Sequence, residues 1–584
     1  MTVGRTVPLV VGSLVGIIGV IGAVLVPSAS VDYSDCVSLR VNSSTEKGDL
    51  VTVLADEYNS EKHVVEGRCA EVRVNKLTSG EAAQHLAEGW DASQAKMPRP
   101  DVWLPSTSLW AGLAELRSDR TLFTGENDSI TTSPLVIGMP RKMAVALGWP
   151  DKHLGWSDLR NLARNPDWTA HGHPEWGLFA MGKDKPPLSS SGLAATIAAY
   201  HAAAGNPAQL TEGHLTDSET LEFVRDVESS VVHYSEDSVT FLGNLYVEDQ
   251  KGTGKPYISA MIMQEQMVYA YNQGAPTGNP SHMGRQRRPN DPLVAIQPAD
   301  STVVLDHPFL VLDHVSDEQH AVAEHFRDFL LEREQQDRFI EHGFRDSEGR
   351  TSGDVADSVG TTPQLTTDAV GLPGPEVVDL MLDVWQDRIR IRGNVLLLLD
   401  VSGSMNEPID PGAPGSTTKL DLLKPVVKQA LDLLDEEINV ALWTLTTAPE
   451  HVVREQLRPI GEARQELLAL VDDLEADGET NLYDATHAAY QAMGGKIDPN
   501  HFNAIVLLTD GRDTARGGVS RQELLDAVTT EDVKTSVRIF TIAYGGDADR
   551  ATLDAIATAT KARAYDPSNL SDISQVFRSV FSHF

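Results

Sequence analysis

The feature that most constrains this chain is a short apolar run, VLLLL at 395–399, that stops dead on Asp400. A run of that length without alternation reads as a strand buried on both faces. The text that follows alternates helix and strand. Leu420, Leu423, Val427, Leu431 and Leu434 fall on one helical face, while 440–446, 504–509 and 537–544 are short apolar strands. Ile573, Phe577 and Val580 mark a final helix. Apolar strands alternating with amphipathic helices predict an α/β unit, a Rossmann-like parallel sheet with helices on both faces. Ligands of such sheets sit at the C-terminal ends of the strands. Asp400 ends one strand and Asp510, in AIVLLTDG, ends another.

Asp400, Ser402, Ser404, Thr480 and Asp510 together offer two carboxylates and three hydroxyls. Hard oxygen donors suit Mg²⁺, or Mn²⁺ or Ca²⁺, and not zinc, which takes His or Cys. Two acidic groups leave such an ion incompletely neutralised, with a position open to an outside carboxylate. That is binding chemistry and not hydrolysis.

DVSGSM at 400–405 resembles the DxSxS signature of the metal-ion-dependent adhesion site in von Willebrand factor A domains. Thr480, in DGETNLYDA, matches that family's threonine, and Asp510, in LLTDGRD, its later aspartate. The resemblance implies that Ser402, Ser404 and Thr480 contact the ion and that the two aspartates act through water. It also implies a protein partner presenting a carboxylate. Metal chelatase subunits carry a domain of this kind too, but beside an ATPase module that this sequence lacks.

The rest of the chain reads as a separate unit, since 584 residues exceed one compact core. LRVN near residue 39, a helix-like 49–58 and AEVRV at 70–74 spell strand, helix, strand. Cys36 precedes the first strand and Cys69 opens the second. In a right-handed βαβ unit, adjacent parallel strands begin at one edge of the sheet, which makes the two sulfurs neighbours. Outside the cytoplasm they are expected to form a disulfide that stabilises by about 3–4 kcal/mol. The proline-bounded runs PLVIGMP at 134–140 and PLVAIQP at 292–298 enclose a helix-rich stretch, and 303–345 closes the unit. A chain that leaves one lobe, builds a second and returns makes two lobes joined by crossing segments.

This text resembles an extracellular solute-binding protein of the two-lobed periplasmic kind, in bacterial and indeed actinobacterial style. The residues that carry it are LRVNSS at 39–44, DVWLPSTSLW at 101–110, a hinge-like SPLVIGMP at 133–140, SSSGLAA at 189–195 and the helical text of 323–345. The resemblance implies a ligand cleft between the lobes, lined by strand-end loops and helix N-termini. Ser43, Ser44, Ser106, Ser108, Ser189, Ser190 and Ser191 stand at the matching positions. Taken singly, each reads first as a helix cap or turn residue, and it is their recurrence after three strand-like runs that points to a cleft.

The N-terminus sets the compartment. Residues 7–26, VPLVVGSLVGIIGVIGAVLV, carry no charge and as a helix would rise about 30 Å, enough to cross a bilayer. Arg5 precedes the run and Asp32 and Asp35 follow it, which orients the remainder outward. The expectation is a single-pass anchor with the bulk of the chain extracytoplasmic. SAS at 28–30 leaves a cleaved signal peptide as the rival. Residues 346–375, rich in Ser, Thr, Gly, Asp and Pro, read as a linker between the unit 36–345 and a last domain over 376–584.

A net charge of −36 opposes nucleic-acid binding. HGH at 171–173 sits in a polar loop ahead of a proline, and GTGK at 252–255 lacks the rest of a phosphate loop. No nucleophile–base pair appears, so no enzyme is expected. Three functions remain in play: metal-dependent protein binding, a solute receptor whose last domain docks to an importer, and a scaffold that uses neither site.

Overall fold

The computed structural model describes residues 36–566, apart from 126, 251, 253–257, 366–368, 391, 410–416, 433, 435, 447–450, 498–500, 515–516, 530–535, 545–547, 561 and 563. The expected anchor at 7–26, the cleavage motif, the expected final helix and most of GTGK lie outside those residues. Among the described residues no helix is long and apolar enough to cross a membrane.

The described residues fold as mixed α/β with three sheets. In the first, Val37–Ser43 pairs in parallel with Arg68–Lys76 on one side and with Val102–Leu104 on the other. Cys36 and Cys69 meet at the shared edge in a disulfide, with Cα atoms 4.5 Å apart. The second sheet holds Ser133–Pro140 between the antiparallel strands Leu293–Ile296 and Ala260–Gln264, and Met181–Asp184 and Val231–Ser235 lie beyond.

Between the sheets the outgoing and returning segments pair. Ile130 N–H donates to His307 O (3.2 Å) and Phe309 N–H to Asp128 O (2.8 Å). The pairing continues into Ser133 and Pro134, opposite Leu305 and Val304, so the crossing reaches only the start of 133–140, the run expected at the hinge. SPLVIGMP is instead an inner strand buried at every position. A third segment joins the crossing, since Thr132 and Arg345 exchange backbone hydrogen bonds of 3.0 and 2.9 Å.

Past Arg345 the chain does not behave as a linker. The buried Arg345 guanidinium pairs with Glu265 (3.0 Å) and donates to the carbonyls of Thr362 and Pro363. Helix Gly353–Val359 packs on the second lobe, and Val370 N–H donates to Thr302 O (2.9 Å). Helix Pro375–Val384, at the expected start of the last domain, lies against Leu109–Ser118 of the first lobe and Glu212–Thr216 of the second. Val378, Met381, Leu382 and the following Trp385 are buried in a core shared by both lobes. By packing, residues 346–389 belong to the double lobe and strap its halves together. Loop-like composition concealed this, because carbonyls bound by Arg345 leave no periodic trace.

The third sheet runs His451–Pro459, Asn439–Leu445, Arg392–Asp400, His501–Thr509, Arg538–Ala543 and Ala564–Tyr565 in spatial order. All pairings are parallel except that of His451–Pro459, which adds an antiparallel edge. Leu397 and Leu399 face one helical layer and Leu396 and Leu398 the other. That two-sided burial is why the run VLLLL shows no alternation.

Candidate functional site

At the C-terminal edge of the third sheet the five expected residues meet. Asp400 is fully buried and accepts from Ser402 N–H (2.8 Å) and from the Thr509 hydroxyl. Thr480 Oγ1 donates to Ser402 Oγ (3.0 Å), and Ser404 Oγ donates to Asp510 Oδ1 (2.7 Å). The two serine oxygens stand 3.1 Å apart. The Ser402 hydroxyl also lies within reach of the Asp400 carboxylate, so its hydrogen is shared between Ser404 and Asp400. The hydroxyls thus form one relay from Thr480 to Asp510. Gly511 keeps it uncrowded, because a Cβ there would lie 3.0 Å from Thr480 Oγ1.

Burial pushes the Asp400 carboxyl up to about 6, against the hydrogen bonds from Ser402 and Thr509, and the nearby Asp510 carboxylate adds to the rise. A buried carboxylate held by hydroxyls and an amide is short of positive charge. The donor set is two carboxylates and three hydroxyls, all of them oxygens. These residues therefore fit a hard divalent ion and not a zinc-type one.

Sequence reasoning missed Lys419 and Thr509. The Lys419 ammonium donates to Asp510 Oδ2 (2.7 Å) and to Glu407 Oε2 (2.8 Å). Thr509, the residue before Asp510, was legible as a strand-end hydroxyl. Lys419, at the start of helix Lys419–Asp432, carried no signal in the text.

The second site is a cavity between the lobes whose central free space is about 10 Å³, room for roughly one water. Ser106, Ser189, Ser190 and Ser191 line it, as expected. Ser44 sits beside it and donates to Glu46 Oε1 (2.8 Å). Ser43 turns to a neighbouring backbone carbonyl, and Ser108 precedes helix Leu109–Ser118, its N–H bonded to Asp306 (2.8 Å). Thr45, Glu46, Thr78, Ser79, Leu188, Asp237, Ser238 and Gln264 complete the lining and were not foreseen. Thr78-Ser79 repeats the pattern of strand, hydroxyls, then helix that singled out the other serines, and could have been found by it.

The lobes touch directly across this cavity. Gly80 N–H donates to Leu188 O (2.9 Å), an approach so close that a Cβ on Gly80 would overlap Pro187 O. Trp110 Nε1–H donates to Ser190 Oγ (2.8 Å). Behind the second lobe's serines, Asp184 accepts from Ser189 (2.7 Å) and Ser238, and burial pushes its carboxyl up to about 7.

Residues 39–345 match the family described as bacterial extracellular solute-binding protein, and residues 394–579 match the von Willebrand factor type A domain. Among curated proteins none matches the chain. Among solved structures, the sulfate-binding protein SubI from Mycobacterium tuberculosis is 15% identical, over 60% of this chain and 96% of that one, with a TM-score of 0.37. The periplasmic binding protein AfuA from Actinobacillus pleuropneumoniae, with fructose-6-phosphate bound, is 13% identical over 60% and 98%, with a TM-score of 0.39. A von Willebrand factor type A protein from Catenulispora acidiphila is 20% identical over 33% of this chain, with a TM-score of 0.28. The match spans 42% of that protein, less than half its length.

Proposed function

The chain belongs to the bacterial extracellular solute-binding protein family and ends in a von Willebrand factor type A domain, and from that premise we propose an anchored extracytoplasmic protein that grips a protein partner through a bound divalent ion. The observation that carries this reading is the relay at the third sheet's edge. There Thr480, Ser402, Ser404 and Asp510 join beside a buried Asp400 that no described cation neutralises.

Asp400 and Asp510 supply the charge that holds Mg²⁺ (or Mn²⁺ or Ca²⁺), and Ser402, Ser404 and Thr480 supply neutral oxygens. When bound, the ion offers a positive centre to a carboxylate of the partner. Residues 7–26 serve as the anchor in this reading. No bond is made or broken at either site.

The test is calorimetric titration of Mg²⁺ into the intact protein and into Asp400→Ala. Saturable binding to the first and none to the second is the expected result. Equal binding to both would place the ion elsewhere and sink the reading.

The hydroxyl-rich cavity favours a second role, capture of a small solute by the lobes, with the last domain as a docking accessory. A solute carried through purification and released on denaturation would establish it. Metal-independent capture of the partner would instead favour the scaffold.

A further inference from the structure

The first helix of the double lobe, Thr45–Glu61, turns a carboxylate of its opening turn into the cavity between the lobes. An acidic residue there is ordinary for a helix start. The surroundings of Glu46 are not. Its Oε1 accepts from Ser44 Oγ at 2.8 Å and also from Ser106 Oγ, which comes from a different strand end. His307 Nδ1, fully buried and without a hydrogen-bond partner among the described residues, faces the same oxygen at 3.9 Å.

Behind Ser44 lies Lys47, with no solvent exposure. Its ammonium donates to Ser44 Oγ (2.6 Å), Leu104 O (2.8 Å) and Pro105 O (3.0 Å). All three are acceptors, so the hydrogen of Ser44 is driven outward to whatever sits in front of it. A cation, two aimed hydroxyls and a helix N-terminus form a seat for an oxyanion. The seat is taken by the chain's own side chain, and what remains of the cavity holds about one water.

We propose that Glu46 is a resident stand-in for an oxyanion ligand, occupying a carboxylate-, phosphate- or sulfate-type seat on the first lobe's side of the cleft. This rests on the reading of the double lobe as a ligand-binding module. Admitting an outside oxyanion to the seat then requires Glu46 to give up its bonds from Ser44 and Ser106 and swing away.

The test is chemical rescue. The intact protein and Glu46→Ala are melted in chloride, formate, acetate, phosphate and sulfate at equal ionic strength, and titrated with each anion by tryptophan fluorescence, which Trp110 at the cavity reports. The variant should melt lower in chloride, recover with saturable dependence on at least one oxyanion, and change fluorescence over the same range, while the native protein responds to none. The anion that works best reports whether the seat suits a planar carboxylate or a tetrahedral ion. No anion-specific gain in the variant, or an equal gain in both proteins, would overturn the proposal.

If Glu46→Ala fails to fold, Glu46→Gln keeps the volume and removes the charge over Lys47. It should then bind the same anions at least tenfold more tightly than the native protein, and equal affinity would overturn the proposal. A solute carried through purification of the native protein, with no gain in either variant, would refute the stand-in and leave the lobes' binding role intact.

Discussion

In the cleft of the double lobe, Lys47 lies fully buried behind Ser44, and Glu46 lies in front of it. At the strand ends of the terminal domain, Asp400 is just as buried, yet its bonded partners are the Thr509 hydroxyl and the Ser402 amide. The nearby ammonium of Lys419 is spent on Asp510 and Glu407. Both regions are made of serines, threonines and carboxylates at strand ends. One sets a buried cation behind its carboxylate, and the other leaves Asp400 on hydroxyl and amide groups alone, the charge imbalance on which the proposed ion site rests. Donor type therefore does not separate a self-satisfied site from a receptive one; the local charge balance does.

Four substitutions break or sharpen that contrast. The largest effect is expected at Trp385, whose indole is buried against Tyr234 of the second lobe and donates to Glu228 (2.7 Å). Trp385→Ala should destabilise by about 4 kcal/mol. In a two-transition urea melt the loss should fall on the double lobe alone. A loss confined to the terminal domain would return this segment to that domain.

Lys47→Met removes the cleft's own cation and strands Glu46, for a loss of about 3 kcal/mol. Adding Glu46→Met should restore part of it, and a double-mutant cycle with no coupling would dissolve the contrast.

Asp184 is the lobe's counterpart of Asp400, a buried carboxylate bonded to hydroxyls. Its folded value of about 7 stands above the ordinary 3.8. The folded form therefore holds more protons than the unfolded chain between those values, and stability falls as pH rises through that window. The lobe should be less stable at pH 8 than at pH 5 by about 2 kcal/mol from this group. Asp184→Asn should flatten the profile in a pH series of melts.

Lys419→Met takes positive charge away from Asp510 and should tighten Mg²⁺ binding about tenfold in calorimetry. Weaker binding would mean that Lys419 organises the site instead of opposing the ion.

The strand ending on Asp400 was legible because a buried parallel strand must be apolar on both faces, and the five residues that meet at its end were named from their resemblance to the adhesion-site signature. The disulfide was legible because adjacent parallel strands start at one edge. Residues 346–389 were not, since backbone carbonyls held by Arg345 and a helix shared by two lobes leave no local periodicity. The cleft was half legible. Its serines follow a recurring grammar, whereas Glu46 and Lys47 read as ordinary charges of a solvated first turn until the fold buries them.

The most direct test of the account is differential scanning calorimetry of the intact protein in Mg²⁺ and in chelator. The account predicts that the terminal domain's transition moves up with Mg²⁺, that the double lobe's transition stays in place, and that Asp400→Ala abolishes the shift. A shift of the double lobe's transition, or none at all, would contradict it.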